Sequence, residues 1–283
     1  MSYYKIKSYA KINLSLAILK KLNTNYHKIE SLVSFIGLYD EIFIKKTNRK
    51  KHKIIFFGKF KKNIKQDNTI SKLLKILEEK KKIKEKYLIK IKKNIPSKSG
   101  LGGGSMNASS VLLFFSKKNK IKFSNKELIE ISNKIGSDVL LGLKKKNSIL
   151  FGNGNLSRFN NRIGLYTLLI KPNFGCSTKM IYNKVKSYSK ASLNKKNRNK
   201  FFKLFFIKKL NNDLENYAFK KYPNLSVLKK FMLNKLPNVL FVRMTGSGSV
   251  LVAYFLSKKS SFEASKILKK KYKKYWCILS KTI

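Results

Sequence analysis

Four of the five positions from Gly100 to Gly104 are glycine, and they lie between a stretch that reads as a strand and one that reads as a helix. Ahead of them Tyr87, Ile89 and Ile91 alternate with Lys90 and Lys92, the period of a half-buried strand over 86–93. Behind them Ala108 to Phe115 is apolar enough for a buried helix. Glycine lets a backbone turn through φ > 0 and come close to an anion, while unpaired N–H groups and the dipole of the following helix stabilise negative charge. The pattern points to bound phosphate, held by Pro96, Ser97, Lys98, Ser99, Gly100, Leu101, Gly102, Gly103, Gly104, Ser105 and Met106. A flexible linker shares this composition but is seldom followed at once by a buried helix. Two widespread phosphate loops are excluded, because no G-x-x-x-x-G-K-[ST] occurs and the G-x-G-x-x-G register fails at Ser105.

The formal net charge of +52 suggests a polyanion as partner. Against that, only five of the 65 basic residues are Arg (Arg49, Arg158, Arg162, Arg198 and Arg243), whereas nucleic-acid readers favour the planar fork of Arg. The lysines are spread along the chain with abundant Asn and Ile, as a biased genome would also produce. A basic nucleic-acid-binding protein is thus the rival from another class, and it leaves the glycine loop unexplained. Cys176 and Cys277 make neither a metal-ligand spacing nor a disulfide framework, which fits a reducing, cytoplasmic setting. The apolar run from Ile12 to Leu19 is broken by Asn13 and Ser15 and ends in Lys20-Lys21, so it reads as a strand and not a signal peptide. No stretch has the length of a membrane span. The expected partners are small molecules, with no nucleic acid and no membrane, and the oligomeric state, monomer or homodimer, stays open.

Strands are expected around 3–9, 12–19, 30–36, 41–46 and 52–57, then a helix near 68–81. Ser124 and Glu127 form a capping box for a helix with Leu128, Ile131 and Ile135 on one face, ended by Gly136. The turn-rich stretch Phe151–Asn155 and the loose segment to about 164 mark the expected domain boundary, which divides the chain into 1–155 and 156–283. Beyond it come a strand near 165–171, a Lys/Asn-rich linker at 185–200, a helix after Pro223, and strand, glycine turn, strand, helix and strand from 239 onward. That order predicts an α/β fold of α+β type.

The run Gly100 to Ala108 resembles the ATP loop of the GHMP small-molecule kinases. Ala10-Lys11-Ile12-Asn13-Leu14 is similar to that family's first motif and Met244-Thr245-Gly246-Ser247-Gly248-Ser249 to its third, in the family's order. Tyr26-His27, Asp67-Asn68 and Gly136-Ser137-Asp138-Val139 narrow the likeness to the branch that phosphorylates a cytidine-diphosphate-linked methylerythritol in the non-mevalonate route to isoprenoid precursors. The resemblance implies a two-domain GHMP kinase fold. Its N-terminal ATP-binding domain would be of ribosomal-S5-domain-2-like type and its C-terminal α/β domain ferredoxin-like, with the active site in the cleft between. Other GHMP kinases, of homoserine or mevalonate type, would share the loop but not the cytosine-binding residues.

The resemblance further implies ATP as co-substrate with Mg2+, the magnesium ligands remaining unassigned. Of the four Asp residues, Asp40, Asp67, Asp138 and Asp213, it is Asp138 that matches the family's catalytic base. Lys11 would sit beside it and keep the carboxylate ionised. Asn13, Thr245, Gly246, Ser247 and Gly248 are carried over as substrate-binding, and Asn68 as a residue near the adenine or, equally, a plain helix cap. Tyr26 and Tyr182 would sandwich cytosine with His27 at its polar edge, although Tyr182 also suits core filling and a lone His is commonly structural. Met106, Ser137, Leu140 and Asn155 depart from the family's usual Ser, Ala, Pro and Glu.

Overall fold

A computed structural model of the chain describes residues 2–23, 26–62, 64–118, 121–194 and 197–283. Its elements are β1 (Tyr4–Asn13), β2 (Ala17–Lys21), β3 (His27–Thr47), β4 (Lys53–Phe57), α1 (Thr69–Glu79), β5 (Lys86–Lys92), α2 (Gly103–Lys117), α3 (Asn125–Ile135) and α4 (Val139–Gly142). They continue with β6 (Asn147–Leu150), β7 (Leu156–Phe159), β8 (Tyr166–Lys171), α5 (Thr178–Tyr182), a 3-10 turn (Arg198–Phe202), α6 (Leu204–Lys209), α7 (Leu214–Lys221) and α8 (Pro223–Lys235). The chain closes with β9 (Phe241–Met244), β10 (Leu251–Phe255), α9 (Lys258–Lys271) and β11 (Trp276–Lys281). Two compact units emerge, each drawn from separated segments: Met1–Ala10, Leu38–Ser97 and Gly102–Lys145 form the first, and Lys11–Gly37, Lys98–Leu101 and Lys146–Ile283 the second.

In the first unit the C-terminal half of β3 pairs antiparallel with β5, and β5 parallel with β4. The alternation read in 86–93 is present: Tyr87, Ile89 and Ile91 are buried against α1 and α2, with Leu73, Leu77, Val111 and Phe115 in the same core. The Ser124 and Glu127 capping box opens α3 as expected, each side chain bonding the other's backbone N–H. Helix α2 starts five residues earlier than the apolar run suggests. Gly102, left-handed at φ 68°, is its N-cap, and Gly103 to Met106 make its first turn.

In the second unit β8 to β11 form an antiparallel sheet in the order β11-β8-β10-β9. With α8 and α9 packed on it, this is the ferredoxin-like arrangement. Its core joins Leu168 and Ile170 of β8, Leu251 and Ala253 of β10, and Leu225, Leu228, Ala264 and Leu268 of the helices. One expectation needs correction. The strands expected at 30–36 and 41–46 are one strand, because a lone Gly37 is no turn signal and the chain finds ladder partners on both sides of it, in β2, β6 and β5. The turn-rich 151–155 is a hairpin loop joining β6 to β7, closed by the Phe151 N–H on the Asn155 carbonyl at 2.9 Å. Residues 195 and 196 of the expected linker lie outside the described residues.

Candidate active site

The three glycine-bearing or polar motifs meet in the second unit at one hydroxyl. Thr245 Oγ1, wholly buried, accepts from the Asn13 N–H at 3.0 Å and donates to the Gly100 carbonyl at 3.1 Å. The Lys11 N–H donates to the Leu101 carbonyl at 3.1 Å, and the N–H groups of Ser249 and Val250 donate to the Lys98 and Ser99 carbonyls, each at 3.3 Å. Gly100 can take part only as glycine: at φ +76° a Cβ there would overlap the Thr245 carbonyl. Lys11, buried, donates from Nζ to Asn13 Oδ1 at 2.6 Å, while Asn13 Nδ2 donates to Ser31 Oγ at 2.8 Å. Asn13, itself held by Ser31, thus directs the Lys11 ammonium group.

The expected cytosine-binding residues are also in this unit. Ser247 Oγ lies 2.8 Å from Thr178 Oγ1 at the start of α5, and α5 ends in Tyr182. The Tyr182 and His27 rings are 5.1 Å apart at 42°, so these two come together. His27 Nε2 is buried without a hydrogen-bond partner among the described residues. Burial, and secondarily the Lys21 ammonium, hold its pKa below the usual histidine value, so the ring is neutral at neutral pH. Tyr26 does not close on this pair; the residue is 73% exposed. His52 has a scaffolding role, its Nδ1 accepting from the Tyr87 N–H at 3.0 Å.

The first unit holds the remaining expected groups. The N–H groups of Gly103, Gly104 and Ser105, which precede the first i−4 bond of α2 from the Met106 N–H to the Gly102 carbonyl at 2.9 Å, make an anion-binding end with the helix dipole. Asp138 stands at the N-cap position of α4 without capping it and is half-buried. The other three aspartates make contacts of different kinds. Asp40 is buried in a hydrogen-bond node, Asp213 accepts from the Ile18 N–H and Ser189 Oγ, both at 2.8 Å, and exposed Asp67 faces Lys72 at 3.7 Å. Asn68 is an N-cap: its Oδ1 accepts from the Ile70 and Ser71 N–H groups at 2.9 and 3.2 Å, and its Nδ2 donates to the Gln66 carbonyl at 2.8 Å. Among the described residues no three His, Cys, Asp or Glu cluster to cage an ion.

Three residues that sequence reasoning passed over support these groups. Asp40 ties the chain at Asn94 and Ile95 to Asn107 of α2. Asn212 donates from Nδ2 to the Met244 and Gly246 carbonyls at 2.7 and 2.8 Å, fixing the third motif. Buried Arg243 spreads its guanidinium over carbonyls of Leu14, Ile207 and Leu210, tying the end of the first motif to α6. An acid inside the apolar run from Phe35 to Ile44 was the available signal for Asp40; nothing local distinguished the others.

Comparison with known proteins bears on what this architecture is. The model of the GHMP kinases N terminal domain matches residues 68–145, and that of the GHMP kinases C terminal domain matches 190–274. A 4-diphosphocytidyl-2-C-methyl-D-erythritol kinase of Pelagibacter ubique is 53% identical over 284 residues, covering 100% of both chains. The chain belongs to the GHMP kinases, in their 4-diphosphocytidyl-2-C-methyl-D-erythritol kinase branch. A second such kinase, from Thermoanaerobacter pseudethanolicus, is 31% identical over 100% of this chain and 97% of its own. Among solved structures, a 4-(cytidine 5'-diphospho)-2C-methyl-D-erythritol kinase superposes with TM-score 0.77 at 21% identity, covering 98% of this chain and 99% of that one. A homoserine kinase from Cytophaga hutchinsonii gives TM-score 0.74 at 17% identity over 100% and 95%. These structures establish the two-domain family fold, which is shared across substrates. No helix among the described residues is long and apolar enough to cross a membrane.

Proposed function

We propose that the chain transfers the γ-phosphoryl group of ATP to the 2-hydroxyl of 4-diphosphocytidyl-2-C-methyl-D-erythritol, in the cytoplasm, as a step of the non-mevalonate route to isoprenoid precursors. The full-length 53% identity to a kinase of that name carries the reading. It favours this substrate over those of the homoserine and mevalonate kinases, with which the chain shares its fold. The family-model matches fall on either side of residue 155 and support an ATP-binding half before it and a C-terminal half after it.

Phosphoryl transfer asks a protein mainly for positioning and charge stabilisation. The first turn of α2 and the glycine loop are assigned to the ATP phosphates, which fits a helix N-terminus whose leading N–H groups have no carbonyl four residues back in the helix. Magnesium, when bound, neutralises charge on the β- and γ-phosphate oxygens. Asp138 is the proposed base: it takes the proton of the 2-hydroxyl as that oxygen bonds to the γ-phosphorus and ADP departs. Its place in Gly136-Ser137-Asp138-Val139, the segment that resembles the family's catalytic one, supports this choice. Lys11, aimed by Asn13, is assigned to orient the hydroxyl and stabilise developing charge. Cytosine is assigned to Tyr182 and His27, whose buried, unpartnered Nε2 can bond the polar edge of a base. Tyr26, exposed, would close over it. Incubation with ATP, magnesium and the cytidine-linked alcohol, followed by phosphorus NMR, should show one ADP and one new phosphate monoester per turnover. ATP hydrolysis without a phosphorylated alcohol would refute the assignment.

A further inference from the structure

A carboxylate at 0% exposure in a strand needs a full set of partners, and Asp40 has one. Its Oδ1 accepts from the N–H groups of Asn94 and Ile95 at 2.7 and 2.8 Å. Its Oδ2 accepts from Asn107 Nδ2 at 3.0 Å and is paired with the Lys93 ammonium. Asn94 Nδ2 adds a bond to the neighbouring Tyr39 carbonyl at 3.0 Å. One side chain of β3 therefore grips the chain just before Pro96 and the first turns of α2 together, across the whole glycine-rich span between them. On the other flank of the helix end, Thr69 Oγ1 donates to the Gly104 carbonyl at 2.8 Å.

We infer that Asp40 is a positioning residue for the nucleotide phosphates, acting through Lys93, Asn94, Ile95 and Asn107 to fix where the N-terminus of α2 points. The inference rests on the assignment of ATP to that helix end. The buried pair also sets the local charge. Lys93 Nζ lies 3.4 Å from where a Gly103 Cβ would be, so its ammonium stands beside the first turn of α2 with Asp40 as counter-ion. Removing the carboxylate strands this cation together with three N–H donors. Asn107 Oδ1, buried with no partner among the described residues, offers a way to restore the node without charge. An asparagine at position 40 can accept from the two backbone N–H groups and donate to that oxygen, provided Lys93 is made apolar.

The test measures ATP binding by calorimetry without the alcohol, and KM for each substrate, in D40A, D40N and the double variant D40N/K93M. Stranding buried donors should weaken ATP binding about 5- to 150-fold in D40A and D40N, with KM for the alcohol unchanged. D40N/K93M should recover to within about threefold of the parent, since it leaves no buried charge unpaired. Should D40A fail to fold, D40N against the double variant makes the same comparison. Parental ATP affinity in folded D40N, parallel rises in both KM values, or a double variant no better than D40N would overturn the inference, because a purely structural role affects both substrates alike. ATP affinity is read without the alcohol, so a wrong alcohol assignment would leave this result intact and show only in turnover.

Discussion

Replacing Gly100 with alanine should disable the nucleotide loop through one methyl group. At φ +76° a non-glycine residue costs about 1–2 kcal/mol. The new Cβ would lie 2.7 Å from the Thr245 carbonyl carbon, closer still to its oxygen, and 3.3 Å from the Gly248 nitrogen. These are backbone atoms of a turn closed by the Thr245 N–H on Val250 at 3.1 Å and the Gly248 N–H on Thr245 at 3.0 Å, so neither can rotate aside. Overpacking of this kind adds about 1–3 kcal/mol, giving about 2–5 kcal/mol of destabilisation in all. For a chain of this size that corresponds to a Tm lower by about 4–20 °C. Restoring ordinary contact distances displaces the loop by about 1 Å, and misplacement on that scale costs about 100-fold in turnover. Gly104→Ala is the control for stability. There the Cβ would meet Thr69 at ordinary contact distances, 3.5 Å from Oγ1 and 3.8 Å from Cγ2, and helical alanine is favoured over glycine by about 0.4–1 kcal/mol, so Tm should hold or rise. The assay is thermal unfolding with kcat/KM for ATP on the parent and both variants. A Gly100→Ala protein with parental Tm and kcat/KM would refute the packing argument.

Asp138→Asn should lower kcat by about 10²–10⁴ while ATP affinity by calorimetry stays near the parent's; a near-normal kcat would remove Asp138 as base. Tyr26→Ala and Tyr182→Ala should each lower kcat/KM for the cytidine-linked substrate about 5- to 150-fold with KM for ATP unchanged, a stacked base contributing about 1–3 kcal/mol per face. Because burial holds the His27 pKa below 6.5, its neutral ring and the stability tied to it are intact above that pH and are lost as pH falls through the folded value. The kcat/KM profile for the nucleotide substrate should therefore carry an acid limb below pH 6.5 that His27→Asn removes; a limb unchanged by that substitution would contradict the role.

What could be read from the chain was whatever depends on neighbours a few residues apart. The alternation of Tyr87, Ile89 and Ile91 and the Ser124 and Glu127 box needed no distant information, and both are present. The start of α2 was misplaced because Gly103 and Gly104 are poor helix formers held helical by contacts made elsewhere, through Thr69 and Asn107. The strands expected at 30–36 and 41–46 run together through Gly37, because ladder partners on either side of it outweigh its low strand propensity. The order of three motifs was legible, whereas their meeting at Thr245, 232 positions from Asn13, is a property of the fold alone. Asp40 escaped for the same reason: it grips Asn94 and Asn107 from 54 and 67 positions away.

The central claim is that this kinase selects its alcohol through the cytidine. It is tested most directly by comparing kcat/KM for 4-diphosphocytidyl-2-C-methyl-D-erythritol with that for the methylerythritol phosphate lacking the nucleotide, at fixed ATP and magnesium. Two stacking faces and the His27 contact predict a preference of at least about 100-fold for the nucleotide-linked substrate. Equal efficiency on the two would contradict the account.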